Sequence, residues 1–189
     1  MLGFEPPYFG SDATIGGTIA CGFSGPRRPF AGSARDCVLG CRLINGRGEI
    51  VSFGGEVIKN VAGFDLSRLM VGAMGTLGVL LEIALKVLPA PETETTVAFD
   101  TTPDQARSMM LHWASMPLPV SALAYDGRLR VRLSGCGEAV AAARRQMGGD
   151  VEAAVGDFWV GLREQVLPFF RAEGDLWRFS LPPAAAAAR

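Results

Sequence analysis

The positions of apolar and polar residues divide this chain into two halves with different grammars. In the first, short apolar runs are broken by glycine: TIACGF follows the glycines of TIGG, then come CVLGCRLIN (Cys37 to Asn45) and EIVSFGG (Glu49 to Gly55). The last two are rich in β-formers and separated by GRG, which predicts a hairpin. FDLSRLMVGA predicts a short helix that begins near Asp65 and sets Leu66, Leu69 and Met70 on one side. GTLGVLLEIALKVLP predicts a strand with Val79, Leu81, Ile83, Leu85 and Val87 on one face, stopped by Pro89 and Pro91.

From Thr93 the runs lengthen. TTVAFD predicts a strand, and TPDQARSMMLHWASM a helix with Thr102 as N-cap, Pro103 at its first position and a stripe through Ala106, Met109, Met110, Trp113 and Ala114. VSALAYDGRLRVRLSG predicts two strands about Asp126–Gly127, and EAVAAARRQMG a helix that ends at Gly148. LWRFSLP (Leu176 to Pro182) supplies a closing strand, DFWVGLREQVLPFF an inserted helix, and LPPAAAAAR is low in complexity. The resulting β-α-β-β-α-β order is ferredoxin-like. The expected organisation is α+β: residues 1–91 mainly antiparallel sheet with glycine-rich loops, 92–182 a ferredoxin-like cap or subunit-contact unit, and 183–189 a tail.

Composition narrows the chemistry. With 18 basic and 19 acidic residues and a net charge of −1, and no charged block in either half, the chain is a poor match for nucleic acid or an anionic membrane surface. The longest apolar stretch, Leu69 to Leu88, contains Glu82, Lys86 and three glycines, so it predicts a buried strand and no transmembrane segment. The opening MLGFEPPYFG lacks the pattern of a signal peptide. Cys21, Cys37, Cys41 and Cys136, with a single histidine at His112, show no metal-ligand spacing. Cys37 and Cys41, if both on one strand, share a face, and both read as small buried residues. His112 falls off the apolar stripe of its helix and reads as a surface residue.

Sixteen of the 24 glycines precede residue 79, bunched in TIGG (Thr14 to Gly17), GFSG (Gly22 to Gly25) and GAMGTLG (Gly72 to Gly78). Such density suits either turns with positive φ or backbone brought close to a ligand such as a phosphate. The two motifs TIGG…G…D-x-V-L-G and K-x-x-x-G-[FY]-D-L-x-[RK]-L-x-x-G-x-x-G-T-L-G-V, in this order and separation, resemble the second half of the FAD-binding domain of the vanillyl-alcohol oxidase / p-cresol methylhydroxylase (PCMH-type) superfamily. Within it they are most similar to the FAD-binding subunits of bacterial glycolate oxidase. The resemblance covers residues 5 to about 91 strongly and the remainder loosely.

The resemblance implies FAD as cofactor, with Ser11, Thr14, Ile15, Gly16 and Gly17 along the pyrophosphate and flavin side. It also implies contacts from Ser24, Gly25, Asp36 and Val38, the last by backbone pairing with the adenine edge. Gly75 and Thr76 are further candidates, with a plain tight turn as their alternative. Lys59, Asn60 and Asp65 match the family pattern, Asp65 equally as a helix cap, and Arg27, Arg28 and Arg35 form a basic cluster that suits phosphate, a carboxylate or solvent. In similar proteins an earlier subdomain holds the other side of the pyrophosphate, so the chain reads as a fragment with half of a cofactor site.

The activity implied is oxidation of a small 2-hydroxy acid, glycolate by resemblance, in a complex with a second flavin subunit and an iron–sulfur subunit. The cytoplasm is the implied location, alone or at the inner membrane through partners. A lactate-type dehydrogenase and a non-catalytic assembly subunit are the alternatives. No catalytic base and no metal ligand can be assigned from the sequence.

Overall fold

A computed structural model of the chain describes residues 1–55, 64–152, 156–182 and 185. The chain divides into two compact units, Met1–Ala90 and Pro91–Arg189.

The first unit opens with a helix, α1 (Ile15–Cys21), where the sequence predicts glycine-rich loop and sheet. Its caps explain the difference. Thr14 has extended backbone and its hydroxyl accepts from Gly17 N–H at 3.0 Å, while Gly22 takes the left-handed conformation (φ 68°) that ends the helix. Two single-turn helices follow, α2 (Arg28–Ala31) and α3 (Ala34–Cys37), the second held by a capping box between Ser33 and Asp36.

The expected hairpin is present as β1 (Val38–Ile44) and β2 (Ile50–Gly54), paired antiparallel with Ile44 opposite Ile50. The expected helix is a single turn, α4 (Leu66–Leu69), capped by the Asp65 carboxylate. Ser67 and Met70 are its buried positions, and Leu69 points to solvent. β3 (Val79–Leu85) pairs on the other side of β1, giving the order β2-β1-β3.

The alternation expected along β3 does not hold. Between the pairs Arg42–Glu82 and Leu43–Leu80 the strand takes two steps for one on β1, a bulge that leaves Leu81 as the extra residue. Leu80, Ile83 and Leu85 therefore pack on the core while Val79 and Leu81 are exposed. That core has two parts: Phe4, Ile19, Ala34, Cys37 and Val38 in one, and Cys41, Leu43 and Met70 in the other. Cys37 and Cys41 thus do not share a strand face; Cys37 closes α3 and lies in a different cluster. Burial raises the pKa of both thiols, which makes them poor nucleophiles.

The second unit comprises β4 (Thr93–Phe99), α5 (Pro103–Ala114), β5 (Val120–Tyr125), β6 (Leu129–Gly135), α6 (Gly137–Met147), β7 (Asp150–Val151) and α7 (Gly156–Arg163). The sheet order β5-β6-β4-β7, all antiparallel, is the ferredoxin-like arrangement. The closing strand is the two-residue β7; Leu176–Pro182, expected to fill that place, is not a strand. The inserted helix is also shorter than expected. It stops at Arg163 and a 3-10 turn, Pro168–Arg171, follows. In α5 the Thr102 cap and Pro103 are as expected and Gln105 completes a capping box; Ala106 and Trp113 are buried, and Ala114 and His112 are exposed.

The two faces of β6 do different work. Leu129, Val131 and Leu133 are wholly buried, whereas Arg128, Arg130 and Arg132 alternate with them on the face that carries α7. Arg130 lies 4.2 Å from the ring centre of Phe158 and Arg132 4.9 Å from that of Trp159. Glu152 bridges Arg128 and Arg130, Asp126 pairs with Arg130, and Arg132 donates to Ser121 Oγ at 3.2 Å. Trp159 is pinned by its indole N–H, which donates to Thr96 Oγ1 at 2.9 Å. Three guanidinium groups under a helix are tolerable because each is paired or stacked.

Candidate functional site: a glycine-lined cleft in the first unit

Two glycine motifs far apart in sequence meet at α1. The turn after α4 needs left-handed backbone at Gly72 (φ 79°) and Gly75 (φ 75°), and it is closed by Thr76, whose N–H and hydroxyl both donate to the Ala73 carbonyl, at 2.9 and 2.6 Å. This turn seats on the carboxyl end of α1. Gly72 N–H donates to Ile19 O at 3.1 Å, which also accepts from Gly22 N–H, and Met74 N–H donates to Ala20 O at 2.9 Å, at the end of the helix where carbonyls lack intrahelical partners. A Cβ on Gly22 would stand 3.2 Å from Gly72 Cα, so the close approach depends on Gly22 having no side chain, whereas a Cβ on Gly72 would meet nothing within 4 Å. At the far end of the turn, a Cβ on Gly78 would stand 2.6 Å from Ile44 O, which explains the glycine there.

Between these elements lies a cleft of about 300 Å³. Thr14, Gly16, Gly17 and Ala20 of α1 and its cap form one wall; Ala73, Gly75 and Gly78 of the turn and Met70, Val79 and Leu80 form the rest. Its volume is at the lower end for ligand pockets, enough for part of a dinucleotide.

The cleft has a polar and an apolar end. At the polar end, the N–H group of Gly16 belongs to the helical first turn, which no preceding carbonyl can satisfy, and it suits a phosphate. Gly16 keeps this end open, since a Cβ there would meet only Thr14 Oγ1 at 4.0 Å. Gly16 and Gly17 do not have positive φ, and their lack of a side chain serves clearance. At the other end Ala20, Met70, Val79 and Leu80 offer an apolar surface for a ring. None of the described lining residues is ionisable.

Of the sequence-predicted residues, Thr14, Gly16, Gly17 and Gly75 line the cleft. The others lie outside its walls. Ser11 donates to Asp12 Oδ1, Ile15 is exposed on α1, and Thr76 holds the turn. Ser24 Oγ accepts from Ala34 N–H at 3.0 Å, Gly25 N–H donates to Phe4 O at 2.8 Å, and Val38 is buried opposite Leu85. Asp36 accepts from the Ser33 hydroxyl and N–H, at 2.7 and 2.8 Å, and these bonds hold its carboxyl below its usual pKa. Lys59 and Asn60 lie outside the described residues. Asp65 caps α4 and pairs with Arg68, and Arg27 pairs with Glu5, whereas Arg28 and Arg35 are exposed. Ala20, Met70, Ala73, Gly78, Val79 and Leu80 were not picked out; the signal for Ala20 is its helical spacing from Gly16 and Gly17.

The cleft, with glycine clearance on one wall and apolar side chains on another, has room for part of a nucleotide cofactor, and residues 1–54 match the family described as FAD binding domain. Across 88% of this chain and 40% of the other, the fold matches an alkyldihydroxyacetonephosphate synthase with TM-score 0.63 at 18% identity. The chain is a relative of glycolate oxidase subunit GlcE of Escherichia coli, being 53% identical to it over 186 residues, which is 98% of this chain and 53% of that protein. It is also 44% identical over 85 residues, 45% of this chain and 18% of the other, to glycolate oxidase subunit GlcD of Bacillus subtilis. The chain therefore spans about half the length of the GlcE relative.

Proposed function

We propose that this chain is part of the FAD-holding subunit of a flavin-linked 2-hydroxy-acid oxidoreductase, with glycolate as substrate. The observation that carries the reading is the cleft. An open glycine wall at the first turn of α1 faces an apolar wall, which suits a phosphate group and the sugar-linked ring system beyond it. Thr14 holds the first turn of α1 in place, Gly16 would present its N–H group to a phosphate oxygen, Gly17 and Gly75 would give clearance, and Met70, Val79 and Leu80 would receive an apolar part of the cofactor. When bound, FAD supplies a two-electron acceptor for the hydride on the α-carbon of the hydroxy acid.

The described lining residues carry no ionisable group, and in this reading the chain holds flavin while the base comes from elsewhere in the assembly. The same observation favours a second reading, in which this is an assembly subunit that keeps the flavin fold without turnover. Electron exit through a second flavin subunit and an iron–sulfur subunit, in the cytoplasm, completes the proposal. The described residues contain no helix long and apolar enough to cross a membrane and no His/Cys/Asp/Glu group suited to a metal.

The test is to purify the protein with its partner subunits, record the flavin spectrum of each chain, and add glycolate anaerobically. Flavin on this chain that bleaches with glycolate supports the first reading; flavin that stays oxidised supports the second. No flavin on this chain at saturating FAD overturns the first.

A further inference from the structure

The loop that leads into the cleft wall is held at one end by an aromatic contact. Phe9 lies edge-to-face on Phe23, with ring centres 5.3 Å apart and planes at 83°. Phe9 has left-handed backbone (φ 51°), which a non-glycine residue adopts at a cost and keeps only where surrounding contacts hold it. Phe23 is fixed to α1: its N–H donates to Thr18 O at 3.1 Å, in the turn that closes the helix after Gly22. Between Phe9 and the Thr14 cap, residues 10 to 13 make no hydrogen bond or ion pair to the rest of the described residues; Ser11 donates only within the loop, to Asp12. The loop is thus tied at Thr14 on one side and at Phe9 on the other, where the Phe23 ring is one of the contacts that hold it. Both rings are about half exposed, at 51% and 37%, an unusual place for a contact that holds strained backbone.

We propose that the Phe9–Phe23 pair is a clasp that positions residues 10–14, and through Thr14 the first turn of α1, for the phosphate end of the cleft. This rests on the FAD reading for what the loop is positioned to meet. Phe9 and Phe23 are positioning residues, and neither lines the cleft. The pair fixes the loop before the ligand arrives, so ordering it does not weaken binding.

The test measures hydrogen exchange at residues 10–17 of the full chain without flavin, and FAD affinity by flavin fluorescence, for wild type, Phe9→Ala, Phe23→Ala, the double variant and Phe9→Tyr. Because the rings are partly exposed, the variants are expected to fold. Each alanine variant should speed exchange in 10–17 and weaken FAD about three- to tenfold, the range an edge-to-face pair supports. The double variant should be no worse than either single, and Phe9→Tyr should behave as wild type. Unchanged exchange in both alanine variants overturns the clasp. Additive singles, which mean the rings act separately, also overturn it. Faster exchange with FAD affinity unmoved overturns the positioning role. If wild type takes up no FAD at any concentration, the cofactor reading fails instead, and the exchange data alone decide whether the clasp exists.

Discussion

Gly16→Ala should move stability and cofactor binding in opposite directions. Gly16 sits in the first turn of α1 with helical backbone, and a Cβ there would meet only Thr14 Oγ1 at 4.0 Å, so the empty protein has room for the methyl group. Replacing a helical glycine by alanine removes backbone freedom from the unfolded chain and stabilises by roughly 0.5–1 kcal/mol. In a unit the size of Met1–Ala90 that raises Tm by about 2–8 °C. The same methyl group projects into the polar end of the cleft. Forcing an extra methylene-sized group into a filled site costs about 1–3 kcal/mol, which weakens FAD roughly 5- to 150-fold. The assay pairs a thermal melt without flavin with an FAD titration on the same preparation. Gly17→Ala serves as the contrast: its Cβ would stand 3.2 Å from Thr14 Oγ1, crowding the cap, so it should lower Tm by disturbing a contact worth about 1 kcal/mol. A Gly16→Ala protein that melts earlier than wild type, or binds FAD unchanged, refutes the reasoning that this glycine exists for clearance.

Trp159→Ala removes a side chain that is 4% exposed, bonded to Thr96 and stacked on Arg132, so it should destabilise the second unit by about 3–5 kcal/mol, read by urea denaturation. Asp36 has a pKa lowered chiefly by the Ser33 hydroxyl and then by the Ser33 N–H, so its contribution to stability is present above the ordinary value of 3.8 and lost as pH falls below it. Asp36→Asn should therefore flatten the acid side of the stability–pH curve, measured by denaturant melts from pH 5 downward. His112→Ala, at an exposed position on α5, should leave glycolate turnover of the assembled enzyme within about tenfold, against the ~10²–10⁴ lost with a general base; a loss in that larger range refutes the surface assignment.

The sequence was most readable where local chemistry decides the structure. Thr102 and Pro103 announce the start of α5, and Asp126–Gly127 joins β5 to β6 with Gly127 at φ 102°. Both glycine motifs were visible too, and four of their candidate residues line the cleft. What was hidden depends on partners distant in sequence. α1 looked unlike a helix because Gly16 and Gly17 are poor helix formers; the Thr14 cap and the turn seated on Ile19 and Ala20 make it one. Counting every second residue along β3 cannot reveal a bulge, because the slip is defined by β1. Leu176–Pro182 has the composition of a strand, but the edge of β4 is taken by Asp150 and Val151, a pair too short to announce itself. The apolar end of the cleft was missed for the same reason: Met70, Val79 and Leu80 meet Ala20 only after the sheet has formed.

The seating of the 72–74 turn on α1 also fixes an order of assembly. The bonds from Gly72 to Ile19 and from Met74 to Ala20 close a loop of more than fifty residues that contains the β1–β2 hairpin and α4. Local pieces such as the hairpin form early, whereas contacts that close long loops wait until enough structure offsets the entropy of closure. The cleft walls therefore come together late in folding, and flavin uptake during refolding should lag the growth of β-sheet signal and report completion of the first unit.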